Sequence, residues 1–227
     1  MKIAYWIVAL IIIIISSTVI VWYLLLNDDQ TSPDNNPQDA SELINEKSER
    51  LLIGQESAPV TIIKYIDFKC PNCYRFMQQA GSEIIDDYVD IGRANFEIRV
   101  LPYLGADSRL AAEGAYCANE QNKFVDYHDS VYKYLEDNYY SEGKNLDDDV
   151  FNPDSLNIIA QISDLDISTF ETCISNEEKS NQVDEDLALS EAERVTGTPT
   201  IIISDRTIVG LQPYQIYRSL IETELSQ

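Results

Sequence analysis

The pair Cys70-Pro71-Asn72-Cys73 stands where one backbone habit gives way to another, and that junction limits what this chain can fold into. Before it, Pro59 to Phe68 is an apolar run. Its core, Val60-Thr61-Ile62-Ile63-Lys64-Tyr65-Ile66-Asp67-Phe68, is rich in β-branched residues, as a strand covered on both faces would be. After it, Cys73, Phe76, Met77, Ala80, Ile84 and Tyr88 recur at three- and four-residue steps, which predicts a helix from about Pro71 to Tyr88. Proline suits a first helical position. Two thiols at such a junction can close and open a disulfide. A zinc knuckle would need a second ligand pair at short spacing. Cys117 and Cys173 stand alone and His128 is the only histidine, so no metal is expected.

The rest of the chain completes an alternating pattern. After Gly92, Asn95-Phe96-Glu97-Ile98-Arg99-Val100 alternates apolar and polar, as a second strand would. From Asp107 to Val195 the helical period dominates. Leu110, Gly114 and Cys117 share one face, and Phe124, Tyr127, Val131 and Tyr134 share another. Ser168-Thr169-Phe170-Glu171 reads as a capping box opening the helix that carries Cys173. A helix around Glu177 to Glu193 turns Val183 and Leu187 inward. Thr200-Ile201-Ile202-Ile203 and Arg206-Thr207-Ile208-Val209 form a hairpin about Ser204-Asp205, and a last helix runs from about Pro213 to Leu225. The sum is an α/β domain with a helical insertion over about residues 105–195.

Upstream, Ile3 to Leu26 is uncharged and long enough to span a bilayer. A cleaved signal peptide has a shorter apolar core of ~7–15 residues and a small-residue cleavage site, so an anchor over residues 1–26 fits better. Lys2 would keep the short end cytoplasmic and export the rest. Residues 27–50, polar and carrying Pro33 and Pro37, read as a flexible tether, which leaves 51–227 as one globular domain. The formal charge of −23 argues against nucleic acid and anionic lipid as partners, and acidic runs such as Asp184-Glu185-Asp186 read as a solvated surface.

The CPNC pair after the first strand, joined to Thr196-Gly197-Thr198-Pro199-Thr200 before the hairpin, resembles the thioredoxin superfamily and most closely its DsbA-like branch. Ala58-Pro59-Val60-Thr61-Ile62 and Cys117-Ala118-Asn119-Glu120-Gln121-Asn122-Lys123-Phe124 strengthen the likeness, which covers roughly Leu51 to Gln227. It implies a thioredoxin-like fold and a thiol:disulfide oxidoreductase that needs no cofactor. Cys70 would be its nucleophile and Cys73 its resolving thiol. Thr198 and a cis Pro199 would face the pair and the client. It also implies exported clients with free cysteines and a quinone-linked membrane reoxidant of the DsbB or vitamin-K-epoxide-reductase type. Reduction or isomerisation by the same thiols, and a redox-inactive binding module, are the alternatives.

Unpaired N–H groups at the helix start favour a Cys70 thiolate at an exposed position. Lys69 and Arg75 would add to that, and Asp67 would oppose it. Strongly oxidising members of the branch carry histidine where this chain has Asn72, so a milder oxidant is expected. Cys117 and Cys173 are either free core thiols or a clamp on the insertion, and export together with an even cysteine count favours the clamp. His128 reads as a packed or surface residue without a role.

Overall fold

The computed structural model describes residues 50–144, 146 and 149–227. The proposed anchor over 1–26 and nearly all of the tether lie outside the described residues. Among those described, no helix is long and apolar enough to cross a membrane.

Strands β1 (Leu51–Gly54), β2 (Val60–Ile66), β3 (Ala94–Val100), β4 (Thr200–Ile203) and β5 (Arg206–Val209) form one sheet ordered β1-β3-β2-β4-β5. β2 and β3 run parallel, and every other neighbouring pair is antiparallel. β2 lies at the centre, where its near-continuous apolar run is covered on both faces. β1 is the element the sequence did not announce. Four residues are too few to show a period, and pairing with β3 is what makes Leu-Leu-Ile-Gly a strand.

The crossover from β2 to β3 is α1, a continuous helix over residues 71–89. It starts as α-helix at Pro71–Phe76, and its later part holds two π-helical turns, Met77–Gly81 and Ile85–Val89. Pro71 sits in its first turn, where a missing N–H costs nothing, and Cys70 precedes it in extended backbone. α1 and α7 (Tyr214–Leu225) cover one face of the sheet. Phe76 of α1 stands edge-on to Phe96 of β3 at 6.2 Å and to Tyr217 of α7 at 5.3 Å. Each such buried aromatic contributes about 1.5–3 kcal/mol.

The insertion holds α2 (Ala106–Glu120), α3 (Phe124–Leu135), α4 (Pro153–Ile162), α5 (Ile167–Ser175) and α6 (Ser180–Ala192). Cys117 of α2 and Cys173 of α5 are joined in a disulfide. α5 opens two residues earlier than its Ser168 to Glu171 pattern suggested. Asp166 is the cap and accepts from the Thr169 N–H at 2.8 Å, so the capping-box reading is corrected. An aspartate carboxylate is at least as good a cap as a serine hydroxyl.

α6 is tied to the sheet by a buried acid. The Val100 N–H and the Tyr116 hydroxyl both donate to Asp186 Oδ2 at 2.7 Å. Burial nevertheless outweighs these bonds and pushes the carboxyl up to about 7. The folded protein therefore holds a proton there between about pH 4 and pH 7 that the unfolded chain has lost. Asp186 draws stability down as pH rises through that window. Denaturant melts of Asp186→Asn and wild type at pH 5 and pH 8 are expected to show a smaller loss toward alkaline pH in the variant. An identical pH response would refute this.

Candidate active site

β2 ends by delivering Asp67, Phe68, Lys69 and Cys70 to the start of α1, and each of the four is buried. The Asp67 carboxylate fastens the segment. Oδ1 accepts from the Lys69 N–H and the Ser108 hydroxyl, both at 2.8 Å. Oδ2 accepts from the backbone N–H groups of Tyr103 at 3.0 Å and Leu104 at 2.9 Å. One side chain thus pins the loop after β3 against the cysteine pair.

Lys69 and Arg75 do not reach Cys70 as the sequence suggested. The Lys69 ammonium turns to Asp107 at 2.8 Å in a buried ion pair, while Arg75 donates to Asn72 Oδ1 at 3.2 Å on the surface. Asp107 in turn accepts from the Val150 N–H at 3.0 Å. Gly105 precedes α2 at φ +140°, and a Cβ there would lie 2.6 Å from Asp107 Oδ1, so a larger residue would disturb this pair.

Cys70 is more covered than expected, with 5% of its surface exposed. The Thr198–Pro199 bond is cis. The Cys70 thiol donates to the Thr198 carbonyl at 3.3 Å, and Tyr103 and Thr198 hydroxyls meet at 3.3 Å beside it. A hydrogen bond from the Cys73 thiol is the main influence on the Cys70 sulfur. With the Thr198 side chain and the N–H groups of Cys73 and Asn72, it outweighs burial and holds the Cys70 thiol down at about 6. Cys73 is wholly buried, and burial followed by its bond to Cys70 pushes its thiol up. One sulfur is thus prepared as a thiolate and leaving group, and the other is sealed behind it.

Two further buried groups are Lys64, which the sequence reading passed over, and His128, to which it gave no role. Lys64 is fully buried on β2, with its ammonium 4.9 Å from the centre of the Phe76 ring. His128 is buried rather than on the surface. Its Nδ1 bonds Asp129 Oδ1 at 2.9 Å, and its ring stands edge-on to Tyr132 at 5.0 Å. Burial holds its imidazole below the usual range, so it is neutral. The available signal was a lysine at a position of β2 whose neighbours two residues away, Ile62 and Ile66, face the core.

A central strand that hands a cysteine pair to a helix start, with a cis-proline segment against the outer sulfur, defines a thiol:disulfide oxidoreductase with a thioredoxin-like fold. The chain belongs to the thioredoxin family, which it matches over residues 46–223. It is 26% identical over 177 residues to disulfide bond formation protein D of Bacillus subtilis, covering 77% of this chain and 76% of that protein. Oxidised BdbD from Bacillus subtilis superposes with a TM-score of 0.69 at 25% identity, covering 79% of this chain and 94% of that one. The fold also matches α-DsbA1 of Wolbachia pipientis, with a TM-score of 0.66 at 21% identity over 82% of this chain and 95% of the other. The DsbA-like reading is borne out.

Proposed function

We propose that this protein is a disulfide donor for exported proteins, with Cys70 as the attacked sulfur and Cys73 as the resolving one. The observation that carries the direction is the contrast between the two thiols. A Cys70 thiol held at about 6 makes its thiolate a good leaving group and stabilises the reduced pair, which is what makes a disulfide oxidising. A client thiolate attacks Cys70 and displaces Cys73. The client's second thiolate then attacks its own sulfur in the mixed disulfide and leaves with a new bond, which returns Cys70 as thiolate.

Thr198 and Pro199 are the residues proposed to hold the client chain, in the way that an exposed strand edge accepts a partner. Pro71 and Asn72 form the surface between the sulfurs. The names of the Bacillus relatives, disulfide bond formation protein D, support this direction. Each cycle leaves the pair reduced, so a partner must reoxidise it, and a quinone-linked membrane protein of the DsbB or vitamin-K-epoxide-reductase type would do so. The apolar run over residues 3–26 is proposed as an anchor that places the domain outside the cytoplasmic membrane, near that partner.

The test is the equilibrium potential of the Cys70–Cys73 couple, taken on the full chain in detergent and glutathione buffers. A value of about −120 to −180 mV is expected. One near −270 mV, the thioredoxin value, would make the protein a reductase instead.

A further inference from the structure

Three π-helical turns occur among the described residues, and all three border one cleft. Met77–Gly81 and Ile85–Val89 lie in α1, and Glu136–Tyr140 continues α3 beyond Leu135. Met77 and Gln78 from the first, Ile85 from the second, and Glu136 and Asp137 from the third all line a cleft of about 370 Å³ between α1 and α3. A π turn is a rare departure from helical bonding, and such turns gather at functional sites. The exchange between Cys70 and Cys73 makes no use of them.

The cleft starts beside the redox pair, because Tyr74 in its wall follows Cys73 on α1. The rings of Tyr74 and Tyr132, both in the wall, lie 5.8 Å apart, and Tyr140 stacks on Tyr74 at 5.0 Å. Tyr132 is 4% exposed, and among the described residues its hydroxyl makes no hydrogen bond. Asp129, Glu136 and Asp137 stand around these rings, and the one cation among them, Lys133, is already taken by Asp137 at 2.7 Å. Asp129 meets His128, which is neutral, and Glu136 faces the Tyr74 hydroxyl. The buried Lys64 draws on Asp129 from within but does not bond to it. Two carboxylates beside exposed ring surface are thus left without a bonded cation among the described residues. Ring faces and carboxylates both attract cations, and the volume suits a small ligand or a long side chain.

We infer that this cleft holds a basic side chain, arginine or lysine, of the client protein while the client cysteine exchanges at Cys70. This rests on the reading of Cys70 as the attacked sulfur. An extended client advances ~3.3 Å per residue, so a few residues carry it from Cys70 along the first turns of α1. Pairing at Thr198 and Pro199 uses the client backbone and accepts any sequence. The cleft adds a choice among side chains. Arginine suits it well: its stem packs on Met77 and Ile85, and its planar head can stack on a tyrosine while forking to a carboxylate. The overall charge of −23 speeds the approach of any basic client, but only the cleft registers where in the client the cation stands.

The test uses reduced two-cysteine peptides in which one arginine is moved through the positions within about four residues of the attacking cysteine, with a glutamine peptide as reference. With the full-length protein in detergent, kcat/KM is expected to be about tenfold higher for the best arginine position than for glutamine. Asp129→Asn with Glu136→Gln is expected to reduce that ratio to about twofold or less, with the glutamine peptide oxidised as before. Asp205→Asn with Glu171→Gln removes the same charge from exposed positions outside the cleft, and the ratio is expected to stay at about tenfold.

Equal rates for every arginine position, a ratio that the cleft variant retains, or an equal loss in both variants would each overturn the assignment. An apolar residue that does as well as arginine at the best position would overturn it too. If the cleft variant does not fold, Ser82→Arg takes its place, since it sets a cation at the exposed rim, and it is expected to lower the ratio in the same way. The ratio can equally be read from exchange with oxidised peptides. A potential near the thioredoxin value would therefore count against the oxidase direction and leave the preference for arginine standing.

Discussion

Replacing Cys70 with serine is expected to lower disulfide transfer by roughly a thousandfold or more while leaving the melting temperature within a few degrees of wild type. The reason lies in the chemistry of the attacked atom. A serine oxygen forms no disulfide, and at neutral pH it stays a hydroxyl, whereas the Cys70 sulfur is held as thiolate by donors already in place. The fold has little stake in that sulfur, since α1 is held through Phe76, Tyr88 and their partners rather than through the first turn. Cys73→Ala is the informative companion. Its Cys70 thiolate can still attack a client disulfide, but no second sulfur stands behind it to release the product. Mixed disulfides are expected to accumulate, and non-reducing gels with mass analysis would show them. Retained transfer in Cys70→Ser would remove this pair from the mechanism.

The second large effect concerns stability rather than turnover. Cys117→Ala with Cys173→Ala is expected to destabilise the domain by about 4 kcal/mol, because the bond closes a loop of 56 residues in the unfolded chain. Both sulfurs are buried, so the expected loss includes a small cavity on each side. Guanidinium melts of the double variant would measure it. The potential of the Cys70–Cys73 couple is expected to stay where it was, because none of the groups acting on Cys70 belongs to α2 or α5. A stability loss below about 1 kcal/mol would mean that the insertion is held by its packing alone.

Much of this could be read from the residues in order. The apolar run into CPNC, the three- and four-residue steps after it and the Gly-Thr-Pro-Thr segment give β2, α1 and the turn into β4, because each is a local pattern with one structural solution. The thioredoxin-like fold with a helical insertion follows from their order. Harder to see were features decided by distant partners. β1 is a strand only because β3 lies beside it. Lys69 looked like a helper for its neighbour Cys70, yet Asp107, 38 residues away, claims its ammonium. Asp67 looked like a charge opposing the thiolate. It is instead the clasp for Tyr103, Leu104 and Ser108. Lys64 could be placed on β2 by alternation, but that helices would close over its end could not be inferred from a run of nine residues.

The two positions between the sulfurs take little part in holding anything together. Pro71 and Asn72 are both exposed, and the Asn72 side chain meets only a surface arginine, while the clasp at Asp67 and the ion pair at Lys69 secure the segment from its other end. Redox tuning and architecture are therefore separable in this molecule. The dipeptide is an exchangeable cartridge, and a series of natural or designed pairs could be inserted there to set the driving force over a range, with one unchanged scaffold serving as the common reference.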